Sequence, residues 1–107
     1  MDMSVEVNAA REAAKVAAAE ALARYGDGWP CGFAWVEVRM RTNTKAAKAL
    51  IAAGFEKSSW QSGVLTMWDP SETRVQSMDV KVAGARAFAK SLAASTGVEA
   101  YACSRMD

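Results

Sequence analysis

A chain of 107 residues has room for one domain with one modest core. With 13 Lys and Arg against 12 Asp and Glu, the formal net charge is +1. That balance argues against a general nucleic-acid coat, which should be basic, and against a DNA mimic, which should be acidic. Hydrophobic residues reach 51%, but alanine inflates the figure, so core volume is limited.

The N-terminal stretch Met1–Asn8 lacks a basic region followed by an apolar run and does not read as a signal peptide. No apolar run approaches the roughly 20 residues that span a bilayer, so no membrane partner is expected. Segment 5–25 is a long helix candidate. Ala10, Ala14, Ala17, Ala21, Leu22 and Tyr25 recur at helical spacing, and Glu20 and Arg24 form an i,i+4 pair. Gly26 is placed to end the helix, and Asp27-Gly-Trp-Pro30 makes a turn.

Strand one follows, from Cys31 to about Arg39. Cys31, Phe33, Trp35, Glu37 and Arg39 point one way, and Gly32, Ala34, Val36 and Val38 the other. One face is small and aliphatic. The other is aromatic, sulfur-bearing and charged.

Thr42-Asn-Thr44 supplies a cap for a second helix over about 44–53. Gly54 stops it, and Phe55 occupies the hydrophobic position of a Schellman motif. Phe55 to Trp60 and Val64 to Trp68 read as two strands around a Gln61-Ser-Gly63 turn. After a polar loop, Ser77 or Asp79 caps a third helix over about 79–95. Gly84 inside it costs about 1 kcal/mol relative to alanine, which suggests close approach of another backbone. Thr96-Gly97 ends that helix, and Val98 to about Ser104 is the last strand.

The expected fold is a single α+β domain over 1–107. A ferredoxin-like β-α-β-β-α-β core spans 31–104, with strand order 4-1-3-2 and an extra N-terminal helix. In that topology strand four runs antiparallel to strand one, so Cys103 is expected near Cys31. The plainer reading of the pair is two packed, reduced thiols. A disulfide would need Cα atoms within roughly 7 Å. Two cysteines make no secreted-type framework, and a reduced, cytoplasmic protein is the expectation.

The chain contains no histidine, no paired carboxylates and no phosphate loop, so no enzyme, metal or cofactor is expected. The aromatic face is the better candidate. Phe33, Trp35 and Tyr101 should lie on it, with Trp68 or Met67 joining from strand three and Arg39 and Arg105 at its border. Exposed sheet aromatics can stack bases, and arginine can hold phosphate. The competing reading makes the same aromatics core, covered by the first helix or by a second subunit. Trp29 and Trp60 are expected to pack at an edge. Arg74, Gln76 and Ser77 precede a helix N-terminus, where a cap is the plainer expectation and an anion site the sharper one. Lys81, Arg86 and Lys90 read as a solvated helix face.

Four segments carry a resemblance: Cys31-Gly-Phe-Ala-Trp-Val36, Trp68-Asp-Pro70, the run Gln76–Ala85, and Ala100-Tyr-Ala-Cys-Ser-Arg-Met-Asp107. Together they resemble a family of small, uncharacterised proteins of tailed bacteriophages, from about Cys31 onward. The resemblance implies a phage protein working in the host-cell cytoplasm, and it transfers no catalytic residues. Small phage accessory proteins often act on host proteins or on host defence signals. The expectation is a non-enzymatic homodimer that sequesters a small anionic nucleotide. Phe33, Trp35, Tyr101 and Trp68 would wall the base, and Arg39 and Arg105 would hold phosphate. The alternative partner is a host enzyme or defence complex inhibited through its surface, in the manner of an anti-CRISPR protein. The third reading is a single-stranded nucleic-acid binder, which the near-zero charge disfavours.

Overall fold

A computed structural model describes all 107 residues. The elements are α1 (Ser4–Tyr25), β1 (Gly32–Arg39), α2 (Lys45–Ala52), β2 (Glu56–Lys57), β3 (Val64–Trp68), α3 (Met78–Thr96) and β4 (Ala100–Met106). The strands form one antiparallel sheet in the order β2-β3-β1-β4. No helix is long and apolar enough to cross a membrane.

Local chemistry sets the helix ends. Thr44 Oγ1 accepts from Ala47 N at 3.1 Å and starts α2. Phe55 N donates to Leu50 O at 3.0 Å and Gly54 N to Ile51 O at 3.1 Å, which is the Schellman pattern. Gly54 supplies the positive φ of 123° that this ending needs. Ser77 Oγ accepts from Val80 N and starts α3. Ser4 N and Oγ both donate to the Asp2 carboxylate at the start of α1, which holds the Asp2 carboxyl below its ordinary value.

All three helices cover the small face of the sheet. Val7, Ala10 and Ala14 of α1 share one core with Ala47 and Leu50 of α2, and with Phe88 and Leu92 of α3. Ala34, Val36, Val38, Leu65 and Met67 form its floor. Alanine along α1 lets it pack tightly on α3, with Gly84 facing Ser71 and the Ala14 carbonyl.

The element order α-β-α-β-β-α-β is the one expected, an extra N-terminal helix followed by β-α-β-β-α-β. With three helices on a four-stranded antiparallel sheet, the whole is not a classic ferredoxin-like fold. α1 is a full member of the helical layer, because its alanine stripe fits where a bulkier helix would not. The expected strand order 4-1-3-2 is the one observed.

Other expectations are corrected. β2 holds only Glu56–Lys57, because the Schellman ending draws Phe55 into the core and the chain turns after Ser58. Cys103 pairs with Trp35, not with Cys31, whose carbonyl accepts from Asp107 N. Four residues of strand separate the two cysteines, about 13 Å at the usual rise, so both are free thiols. Glu20 and Arg24 form no ion pair; the Arg24 guanidinium lies over the Tyr25 ring instead, 5.9 Å from its centroid.

Candidate functional site

With every helix on one side, the other side of the sheet has no layer over it. Register decides its occupants, since directly paired residues share a face. Phe33 pairs with Arg105, Trp35 with Cys103 and Trp68, Glu37 with Tyr101 and Thr66, and Thr66 also with Glu56. Trp68, not Met67, joins from β3, because Met67 is part of the core floor. All six expected site residues, Phe33, Trp35, Arg39, Trp68, Tyr101 and Arg105, lie on this open face. Trp68 is 54% exposed and Tyr101 47%. α1 does not cover the aromatics.

Two clusters organise the face. In the first, the Trp35 and Trp68 rings meet at 4.8 Å between centroids with a 32° tilt. Trp35 Nε1 donates to Glu37 Oε2 at 3.0 Å, which fixes the indole. The other Glu37 oxygen lies 3.9 Å from Arg39. In the second cluster, Phe33 carries two cations. Arg105 Cζ lies 5.9 Å and Lys81 Nζ 5.4 Å from the ring centroid. Lys81 also donates to Gly32 O at 3.0 Å, so it is tied to β1 and is not a purely solvated charge. Arg39 Cζ lies 5.8 Å from the Tyr101 centroid.

A groove of 380 Å³ runs beside the tryptophan pair. Trp35, Trp68 and Arg105 line it, together with Glu37, Glu56, Lys57 and the Ser58–Gln61 turn. Trp60 belongs to that turn. It is 85% exposed and overhangs the groove rather than packing at an edge. Trp29 is also exposed, and it does not line this groove. Phe33, Arg39 and Tyr101 share the face but lie outside the groove's lining. Glu56 and Trp60 are groove residues outside the expected set. Strand parity could have found Glu56, whereas Trp60 depends on the fold of its turn.

Two carboxylates and two cations line the groove, so it is polar but electrically balanced. Burial, reinforced by the Glu37 charge, pushes the Cys103 thiol up. It stays protonated and is a poor nucleophile. The Glu99 carboxylate accepts from Tyr101 Oη at 2.8 Å and pushes that phenol up. The expected alternative, an anion site before α3, is filled from within: Asp27 Oδ1 accepts from Gln76 N at 2.9 Å and Ser77 N at 3.0 Å. No group of His, Cys, Asp and Glu has metal-site spacing.

No family model matches the chain, and neither the curated proteins nor the solved structures give a match.

Proposed function

We propose that this is a non-enzymatic binding protein whose open sheet face takes a small anionic nucleotide. The supporting observation is the groove that brings Trp35, Trp68 and Trp60 beside Arg105 and Lys57. Its volume lies within the range of small-molecule sites. A base would stack on the Trp35–Trp68 pair beneath Trp60, its polar edge facing Glu56 and the turn serines. Arg105 and Lys57 would meet the phosphate. Sequestration of a host defence signal by a phage protein is the biological form of this reading, and it rests on the resemblance alone. In the same spirit, the six elements after α1 are read as a variant of the ferredoxin-like plan.

Titration calorimetry against cyclic nucleotides and NAD-derived nucleotides tests the reading. At least one should bind tighter than about 100 µM, about 5.5 kcal/mol. Trp68→Ala should then weaken it by about 1–3 kcal/mol, the worth of one stacked base. If the whole panel fails to reach that affinity, the nucleotide reading is wrong.

One observation favours a second reading. The exposed aromatics extend past the groove to Tyr101 and Phe33. A surface inhibitor of a host protein would use that breadth. Its complex, isolated by affinity pulldown, should weaken with Trp35→Ala and release no nucleotide.

A further inference from the structure

The two edges of the sheet differ. β2 is two residues long, a short edge of the kind that discourages pairing. β4 is seven residues long, contains no proline or lysine, and has no strand on its outer side. Asp107 N donates to Cys31 O, which sets the alternation along β4. Odd-numbered residues turn their backbone groups toward β1. Ala100, Ala102, Ser104 and Met106 turn theirs outward, and Ala102, Ser104 and Met106 are exposed.

We propose that β4 pairs antiparallel with β4 of a second copy of this chain, about a two-fold axis at Cys103. The register follows from the strand itself. Cys103 is the midpoint of Ala100–Met106, so a two-fold there pairs all seven residues. Ala102 faces Ser104 of the second copy, and Ala100 faces its Met106, in hydrogen-bonded pairs formed by the outward groups. Tyr101 faces Arg105 of the second copy across a non-hydrogen-bonded pair, where side chains lie closest. That is the chemistry β4 already uses within one chain, where Arg39 lies over Tyr101 and Arg105 over Phe33. Among the seven paired residues no like charges meet; just beyond each end Glu99 comes opposite Asp107 of the second copy, an acidic pair that limits the affinity of this register. Centring the axis on Ala102 or Ser104 shortens the overlap and breaks the Tyr–Arg match. The product is one eight-stranded sheet with both open faces on the same side.

Sedimentation equilibrium of the full chain at about 100 µM decides the matter. The expected mass is twice 11.4 kDa. Two variants locate the contact. Cys103→Lys sets two ammonium groups opposite each other at the axis and should weaken the dimer about tenfold. Ser104→Pro removes an outward N–H while leaving the β1 ladder intact, and should do the same. Circular dichroism of each should match that of the unaltered chain. A monomer at this concentration overturns the proposal. So does a dimer that both folded variants leave unweakened, because the contact would then lie elsewhere. Neither outcome depends on nucleotide binding.

Discussion

Asp69 is the residue at which local geometry and electrostatics conflict most. It ends β3 with φ at 41°, a region that Asn and Asp tolerate better than most residues. Its Oδ1 is buried without a hydrogen-bond partner. Burial pushes its carboxyl up, more than the nearby Lys81 charge pulls it down. The folded state therefore holds this proton more tightly than the unfolded state does. Its contribution is fully present below the ordinary value of 3.8, and it is lost as pH rises through the folded value. Asp69→Asn keeps the backbone preference and removes the ionisation. Urea unfolding at about pH 7 should find the variant more stable than the unaltered chain, with the gain shrinking as pH falls through the raised folded value and lost altogether below the ordinary carboxylate value. An equal gain at both ends of that range would exclude ionisation as its cause. None of this was legible in the Trp68-Asp-Pro70 step, which signals a turn but not which carboxyl oxygen the fold strands. Parity, by contrast, puts Phe33, Trp35 and Arg39 on one face of β1 and Tyr101 and Arg105 on one face of β4, because alternation along a strand needs no tertiary information; the register of the pairing then joins the two sets.

At the scale of elements, α1 was the hardest to place. Its helical spacing is plain, but alanines occur all round it, so no single stripe announces which side it buries. The structure selects Val7, Ala10, Ala14, Ala18 and Ala21. What the selection requires is visible at Gly84. A Cβ there would lie 2.8 Å from Ser71 Cβ, 2.9 Å from Ser71 Oγ and 3.3 Å from the Ala14 carbonyl. Ser71 is itself buried and attached to the loop by that same Cβ, so it has little room to retreat. Gly84→Ala gains about 1 kcal/mol of helix propensity and meets an overpacking cost of about 1–3 kcal/mol. A net loss of about 1 kcal/mol should appear as a lower urea midpoint. A rise in the midpoint would mean that the Ser71 loop yields. Gly84 is the point of close approach that a glycine in mid-helix suggests. The partner was not legible, because a loop 13 positions earlier and a helix 70 positions earlier meet there only after folding.

For the molecule as a whole, the two faces of the sheet differ in cover, and so in what their side chains contribute to stability. Phe88 and Trp68 are both large aromatics in ordered elements. Phe88 is fully buried and lies 6.0 Å from Phe55, centroid to centroid, within the shared core. Trp68 lies on the uncovered face and contacts chiefly Trp35. Truncating them should therefore have unequal costs. Phe88→Ala opens a cavity under three helices and should cost about 3–5 kcal/mol. Trp68→Ala forfeits one aromatic pair and some apolar contact, about 1 kcal/mol. Chemical denaturation at low protein concentration, where any dimer has dissociated, gives both values directly. If Trp68→Ala proves as costly as Phe88→Ala, the aromatic face is core for the isolated chain, and both binding readings lose their physical basis. If the costs separate as expected, the sheet's large side chains contribute little to holding the fold. The proposed ligand then keeps its physical basis, and the groove beside Trp35 and Trp68 is the place to seek it.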